Sequence, residues 1–190
     1  MKYLFPFKIT FFAVFYCFSV YAAPAEQSKS EELLEAVKDS NVPKLKYLLK
    51  NGKVNSEITD TKEMTLLMIA SNDNNAEVVQ ILIDAGADVN RKNKENGKTA
   101  LMYAANHGHI DVVRVFLNSS KILINAKDRE GKTALMHAVF HGRKDMIQLL
   151  LESKANVNSR TNTDESALSY AMKAGRPEII NLLRQAGARE

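Results

Sequence analysis

The apolar residues of this chain fall into paired blocks separated by polar turns, and the pairs recur at a fixed interval. Leu66-Leu67-Met68-Ile69-Ala70 is followed by Val78-Val79 and Ile81-Leu82-Ile83. Ala100-Leu101-Met102-Tyr103-Ala104 is followed by Val112-Val113 and Val115-Phe116-Leu117. Two further pairs open with Ala134-Leu135-Met136 and Ala167-Leu168, and close with Leu149-Leu150-Leu151 and Leu182-Leu183. A hydroxyl residue precedes each first block: Thr65, Thr99, Thr133 and Ser166, spaced 34, 34 and 33 residues apart. Thr or Ser just before an apolar run caps a helix N-terminus, so each first block predicts a short helix. The second block predicts another, with its apolar residues on one face, as Val112, Val113, Phe116 and Leu117 show. Gly108, Gly142 and Gly175 mark the reversal between paired helices, and Asn74 fills that slot in the earliest pair. Gly86 and Gly187 lie where second helices should stop.

Helices this short are marginal alone. Self-similarity near 34 residues therefore predicts units that gain stability by stacking on one another. A weaker unit precedes the four clear ones. Glu31, Leu33 and Ala36 fall 34 residues before Thr65, Leu67 and Ala70, and Leu45, Leu48, Leu49 and Gly52 match second-helix positions. It lacks the hydroxyl cap, as a terminal capping repeat would. The predicted organisation is an all-α solenoid of about five helix-turn-helix repeats, at 31–60, 61–94, 95–128, 129–161 and 162–190.

The refrain resembles the ankyrin repeat, whose signature is Thr-Pro-Leu-His-x-Ala. Here the Pro slot holds Leu66, Ala100, Ala134 and Ala167, and the His slot holds Met68, Met102, Met136 and Ser169. The resemblance covers about residues 28–190, and the Thr-Ala-Leu-Met variant is similar to bacterial members. Loss of the His removes a side chain that ties the turn together in that family; the turn glycines Gly97 and Gly131 are kept. The resemblance implies a concave binding surface made of turn tips and the exposed ends of the first helices. The matching residues include Met64, Asn72, Asp73, Lys98, Asn106, His107, Arg129, Lys132, Phe140, His141 and Lys173. Phe140 is the expected interface anchor, because a large aromatic at an exposed repeat position supplies contact area at low entropic cost.

Residues 1–22 follow a different logic. Lys2 and Lys8 give a positive start, residues 9–20 form an apolar core, and Val20-Tyr21-Ala22 fits a cleavage site, with Ala25 a second option. This is the layout of a secretory signal peptide, and its apolar stretch is short for a membrane span. Residues 23–30 read as a polar linker. Cys17, the single Cys, would leave with the signal, so the mature domain would rely on packing without a disulfide. It also lacks the small preceding residues that a lipoprotein site needs.

Charge narrows the picture little. The chain is +4, and residues 1–22 carry two Lys and no acid, which leaves about +2 for the remainder. Acids and bases interleave with no basic block, which argues against nucleic acid. His107, His109, His137 and His141 invite a metal reading. However, His107 and His141 hold equivalent positions on adjacent repeats, roughly 8–10 Å apart by helix packing, too far for one zinc ion. His109 occupies a slot where the family usually carries His. Met68, Met102 and Met136 share one repeat position, as packing residues do. Glu77, Asp111, Asp145 and Glu178 sit near second-helix starts, where negative charge suits the dipole. No nucleophile elbow, phosphate loop or HExxH motif appears.

The sequence thus predicts no catalytic residue, no metal and no cofactor. The expected function is protein–protein interaction by a periplasmic monomer whose partner is an envelope protein, an enzyme by first preference, that it inhibits, protects or stabilises. Bacterial ankyrin proteins of this exported type are known as guards of that kind. The alternative is a secreted effector acting on host proteins.

Overall fold

The computed structural model describes residues 29–50 and 58–189. The proposed signal peptide, its cleavage site and Gly52 lie outside the described residues. Among the described residues ten helices follow in chain order: α1 (29–38), α2 (Val42–Leu49), α3 (Leu66–Asn72), α4 (Ala76–Asp84), α5 (Ala100–His107), α6 (Ile110–Leu117), α7 (Ala134–Phe140), α8 (Lys144–Glu152), α9 (Ala167–Lys173) and α10 (Pro177–Gln185). Within the repeats, α3 packs on α4, α5 on α6, α7 on α8 and α9 on α10. Helix α1 takes in Lys29 and Ser30, two residues that the sequence reading assigns to the linker.

Helices α3, α5, α7 and α9 each start where a hydroxyl residue satisfies otherwise unpaired N–H groups. The side chains of Thr65, Thr99 and Thr133 accept from the amides of Met68, Met102 and Met136 at 3.3, 3.4 and 3.4 Å. Ser166 accepts from the Ser169 amide at 3.1 Å. The residue in the family's His slot returns the favour in two repeats. Met102 Sδ accepts from the Thr99 amide at 3.5 Å, and Ser169 Oγ accepts from the Ser166 amide at 2.9 Å. Part of the tie expected to vanish with the His is therefore kept by Met and Ser.

The second helices carry Glu77, Asp111, Asp145 and Glu178 in their first turns, as the helix dipole favours. Their first residues meet a different need in different repeats. Asn41 and Asn75 cap their own helices by accepting from Lys44 and Val78 amides at 3.0 Å. The equivalent His109, Arg143 and Arg176 make no such cap and reach back to the preceding repeat.

Stacking is consecutive: α3, α5, α7 and α9 form one layer, and each packs on its own partner α4, α6, α8 or α10. The core runs the length of the stack, from Leu33, Ala36, Val37 and Leu45 to Ile179 and Leu183. Phe116, Met68, Met102, Met136 and Leu135 are fully buried within it. The shared Met position is thus a packing position.

Interval lengths conceal two different irregularities. The tip from Asn93 to Thr99 is one residue longer than those from Asp128 to Thr133 and Thr161 to Ser166. The loop after α6, from Phe116 to Asp128, is likewise one residue longer than that from Leu150 to Thr161. The unit from Thr133 to Ser166 carries neither extra residue and is the one of 33.

Candidate protein-binding surface

The turn tips are built by a short polar side chain, Asp, Asn or Thr, in one role. Asp60 Oδ1 accepts from the amides of Lys62 and Met64, both at 2.9 Å. Asn93 Oδ1 accepts from Glu95 and Asn96, Asp128 Oδ1 from Glu130 and Lys132, and Thr161 Oγ1 from Thr163 and Glu165. A short side chain that accepts from amides two to four residues on folds the backbone back on itself.

Successive tips are then tied together. The Arg129 amide donates to the Asn96 carbonyl and the Asn162 amide to the Glu130 carbonyl, both at 3.0 Å. This close approach explains Gly97 and Gly131. Both have positive φ (+74° and +81°), and a Cβ built there would meet the next tip's amide nitrogen at 2.8 and 2.7 Å. Asp164 holds the same position with φ +61° in the last repeat, and no further tip stacks on it among the described residues.

The position between His slot and Ala in the refrain, variable in sequence, braces the tip from inside. His137 Nε2–H donates to Asp128 Oδ2 at 2.9 Å. Tyr103 Oη accepts from Asn96 Nδ2 at 3.0 Å, and Tyr170 Oη donates to Glu165 Oε2 at 2.8 Å. Burial pushes the His137 pKa below the usual imidazole value, outweighing Asp128, and the Lys98 and Lys132 charges act in the same direction as burial. Burial, then the Glu165 carboxylate, pushes Tyr170 up to about 12.

At the other end of each first helix, the residue after the reversal ties neighbouring repeats. His109 Nε2–H donates to the Asn72 carbonyl at 2.9 Å, Arg143 Nε to the Asn106 carbonyl at 3.5 Å, and Arg176 Nη1 to the Phe140 carbonyl at 3.0 Å. These carbonyls are among the unpaired acceptors of a helix C-terminus. His109 is thereby accounted for without a metal. Among the described residues no group of three His, Cys, Asp or Glu is placed to hold one.

The sequence-predicted surface residues separate into two kinds. Asp73, His107, Arg129, Phe140, His141 and Lys173 are exposed. Met64, Asn72, Lys98, Asn106 and Lys132 are half-buried. Met64 packs against the core, so it is largely a structural residue. The Arg129 guanidinium donates to the Lys94 carbonyl of the preceding tip and so takes part in tip stacking. Asn72 and Asn106 contribute carbonyls to the inter-repeat ties described above.

The remaining residues converge. Phe140 is 53% exposed, yet its ring is fixed edge-on by Tyr170 at 6.0 Å and His141 at 5.1 Å. Lys132 Nζ lies 5.5 Å from the Phe140 ring centre and 5.8 Å from that of Tyr170. Lys98 Nζ sits 5.8 Å over the Tyr103 ring. Glu165 binds both Lys173 and Tyr170, which holds its carboxyl below the usual range. His107 stacks on His109 at 5.5 Å and bonds the Tyr103 carbonyl at 3.1 Å. Tyr103 and Tyr170 are the members of this strip that the sequence analysis missed. Their recurrence one residue before the refrain Ala was the available signal.

A family model described as ankyrin repeats (3 copies) matches residues 33–128 and 120–189. No curated protein matches the chain.

Proposed function

Since the chain belongs to the ankyrin-repeat family, whose members are in general non-enzymatic protein-interaction modules, we propose that it is an exported monomer that binds a protein of the bacterial envelope. Its binding face is the strip formed by the tips and the C-terminal ends of α5, α7 and α9. One observation carries this reading. Phe140 keeps about half its surface open while Tyr170, His141 and Lys132 hold its ring in place. A large apolar group that is exposed and immobilised has already lost the freedom that binding would otherwise cost it. Residues 1–22, with a positive start, an apolar core and Ala22 or Ala25 as the cleavage position, support export and a periplasmic site of action. Once bound, the chain acts sterically, to inhibit, protect or stabilise its partner.

The test is affinity capture with the chain starting at Ala23 against periplasmic extract, repeated with Phe140→Ala. One stoichiometric envelope protein is expected in the eluate. The variant should weaken its binding by more than about 1 kcal/mol while the melting temperature holds. An unchanged affinity together with a large loss of stability would remove Phe140 from the binding face.

A further inference from the structure

The charges on the proposed binding strip are unevenly matched. Toward the last repeat they cancel: Lys132 pairs with Glu130 at 2.6 Å and Lys173 with Glu165. In the middle they do not. Lys98 Nζ lies over the Tyr103 ring and pairs with no carboxylate among the described residues. Arg143 donates to the carbonyl of Asn106 and Arg176 to those of Val139 and Phe140, and neither pairs with a carboxylate among the described residues. His107 and His141 occupy the same position on α5 and just past α7. After burial, the influences on His141 are Arg143, His107, Lys98 and Arg176, every one basic, and all lower its pKa. The exposed Phe140 ring stands directly against His141.

From this juxtaposition we infer that the middle of the strip, Lys98, His107 and His141 beside the Phe140 ring, receives an acidic segment of the partner protein that carries an apolar or aromatic side chain. This rests on the protein-binding reading above and specifies the partner's chemistry. Carboxylates would face Lys98 and the two imidazoles, while the apolar side chain would pack on the open half of Phe140. Complementary charge steers encounter and rejects basic partners, and the ring supplies the desolvated contact. The cations alternate with rings held edge-on and occupied by lysines, so they are spaced for side chains of a folded or extended polypeptide and not as a continuous phosphate track.

The experiment uses the full mature chain and a short labelled peptide of Asp and Glu around one central Phe, read by fluorescence anisotropy at low salt. A second peptide has Lys in place of each acid. The acidic peptide should bind at least about tenfold more tightly than the basic one. Lys98→Glu with His107→Glu should remove most of that preference with an unchanged thermal transition. Arg114→Glu, on the outer face of α6, should not alter it. Equal binding of the two peptides, no binding of either, or an equal loss with Arg114→Glu would overturn the inference. So would a single-stranded oligonucleotide that competes as strongly as the acidic peptide. If the peptide arm fails while a captured envelope protein still loses affinity with Phe140→Ala, the binding face stands and the acidic preference falls. If both fail, the protein-binding assignment of the strip falls as well.

Discussion

The two helix layers are made of helices of nearly equal length that are buried to very different extents. In α3 the six consecutive residues Leu66–Ser71 are all buried, and in α7 so are Ala134–Val139. Helices α4, α6 and α8 bury three residues each. A first helix is enclosed by the first helices before and after it and by its own partner, so it has almost no free side. That is why Ala70, Ala104, Ala138 and Ala171 recur there with at most 1% exposure: neighbouring backbones approach closely only across small side chains. A second helix has an inside and an outside. The contrast leaves a first helix only its ends and its tip for function, and the proposed binding strip lies there.

The largest effect should come from emptying the space between the layers. Phe116→Ala, on the inner face of α6, removes a side chain with no exposure and should cost about 4 kcal/mol in denaturant unfolding. A loss under about 1 kcal/mol would show that the second layer is loosely packed and would break the comparison.

Next in size is the tip. Gly131→Ala places a Cβ 2.7 Å from the Asn162 amide nitrogen at positive φ, and about 2–3 kcal/mol should be lost. The reverse change at the matching position, Asp164→Gly, should move stability by less than about 0.5 kcal/mol, because relief of the left-handed strain is offset by a more flexible unfolded chain. Equal effects at the two sites would mean that tip stacking contributes nothing.

A pH titration sharpens the contrast between buried and exposed histidine. His137 is held neutral in the folded chain, with its pKa below the ordinary value because it is buried. The unfolded chain therefore takes up the proton first as pH falls through about 6.5, and stability is lost from there down to the folded pKa. His141 shifts in the same direction but is more open to solvent, so its share should be smaller. Urea midpoints should fall with acidification in wild type, and His137→Gln should flatten most of that decline. A midpoint rising on acidification would reverse the sign assigned to His137.

The smallest effect belongs to the outer surface. Lys144 and Glu178 lie 2.7 Å apart but both are well exposed, and Lys144→Ala should leave the unfolding midpoint unmoved, since water and salt screen such pairs.

Much of the fold was legible because it is periodic. The hydroxyl caps, the paired helices and the buried Met68, Met102 and Met136 depend on neighbours within one repeat, so spacing alone reveals them. What stayed hidden depends on partners about a repeat away. Asn90 Oδ1 accepts from the Leu123 amide, Asn125 Oδ1 from Asn156, and Asn158 Oδ1 from Arg189, a row of asparagines that fastens successive outer loops. As surface Asn residues they read like any other loop residue. His109, Arg143 and Arg176 share a position but not a side chain, so their common task in reaching the previous helix was not visible as a motif. Of the candidate residues picked out by repeat position, Phe140 and His141 are exposed and Lys98 is half-buried, whereas Met64 packs against the core and Arg129 donates to the preceding tip, contacts that repeat position does not reveal. Tyr103 and Tyr170 were overlooked because they stand at a variable slot.

The repeat at 129–161 bears on how such a chain lengthens. Its tip donates on one side, from the Arg129 amide to the Asn96 carbonyl, and accepts the matching bond on the other, where the Glu130 carbonyl takes the Asn162 amide proton. A unit whose two sides are complementary can follow itself. A tandem duplication of that stretch in the gene would place each copy against a surface it already fits, adding a rung without disturbing its neighbours. New recognition surface could then arise by copying first and diversifying the open positions afterwards.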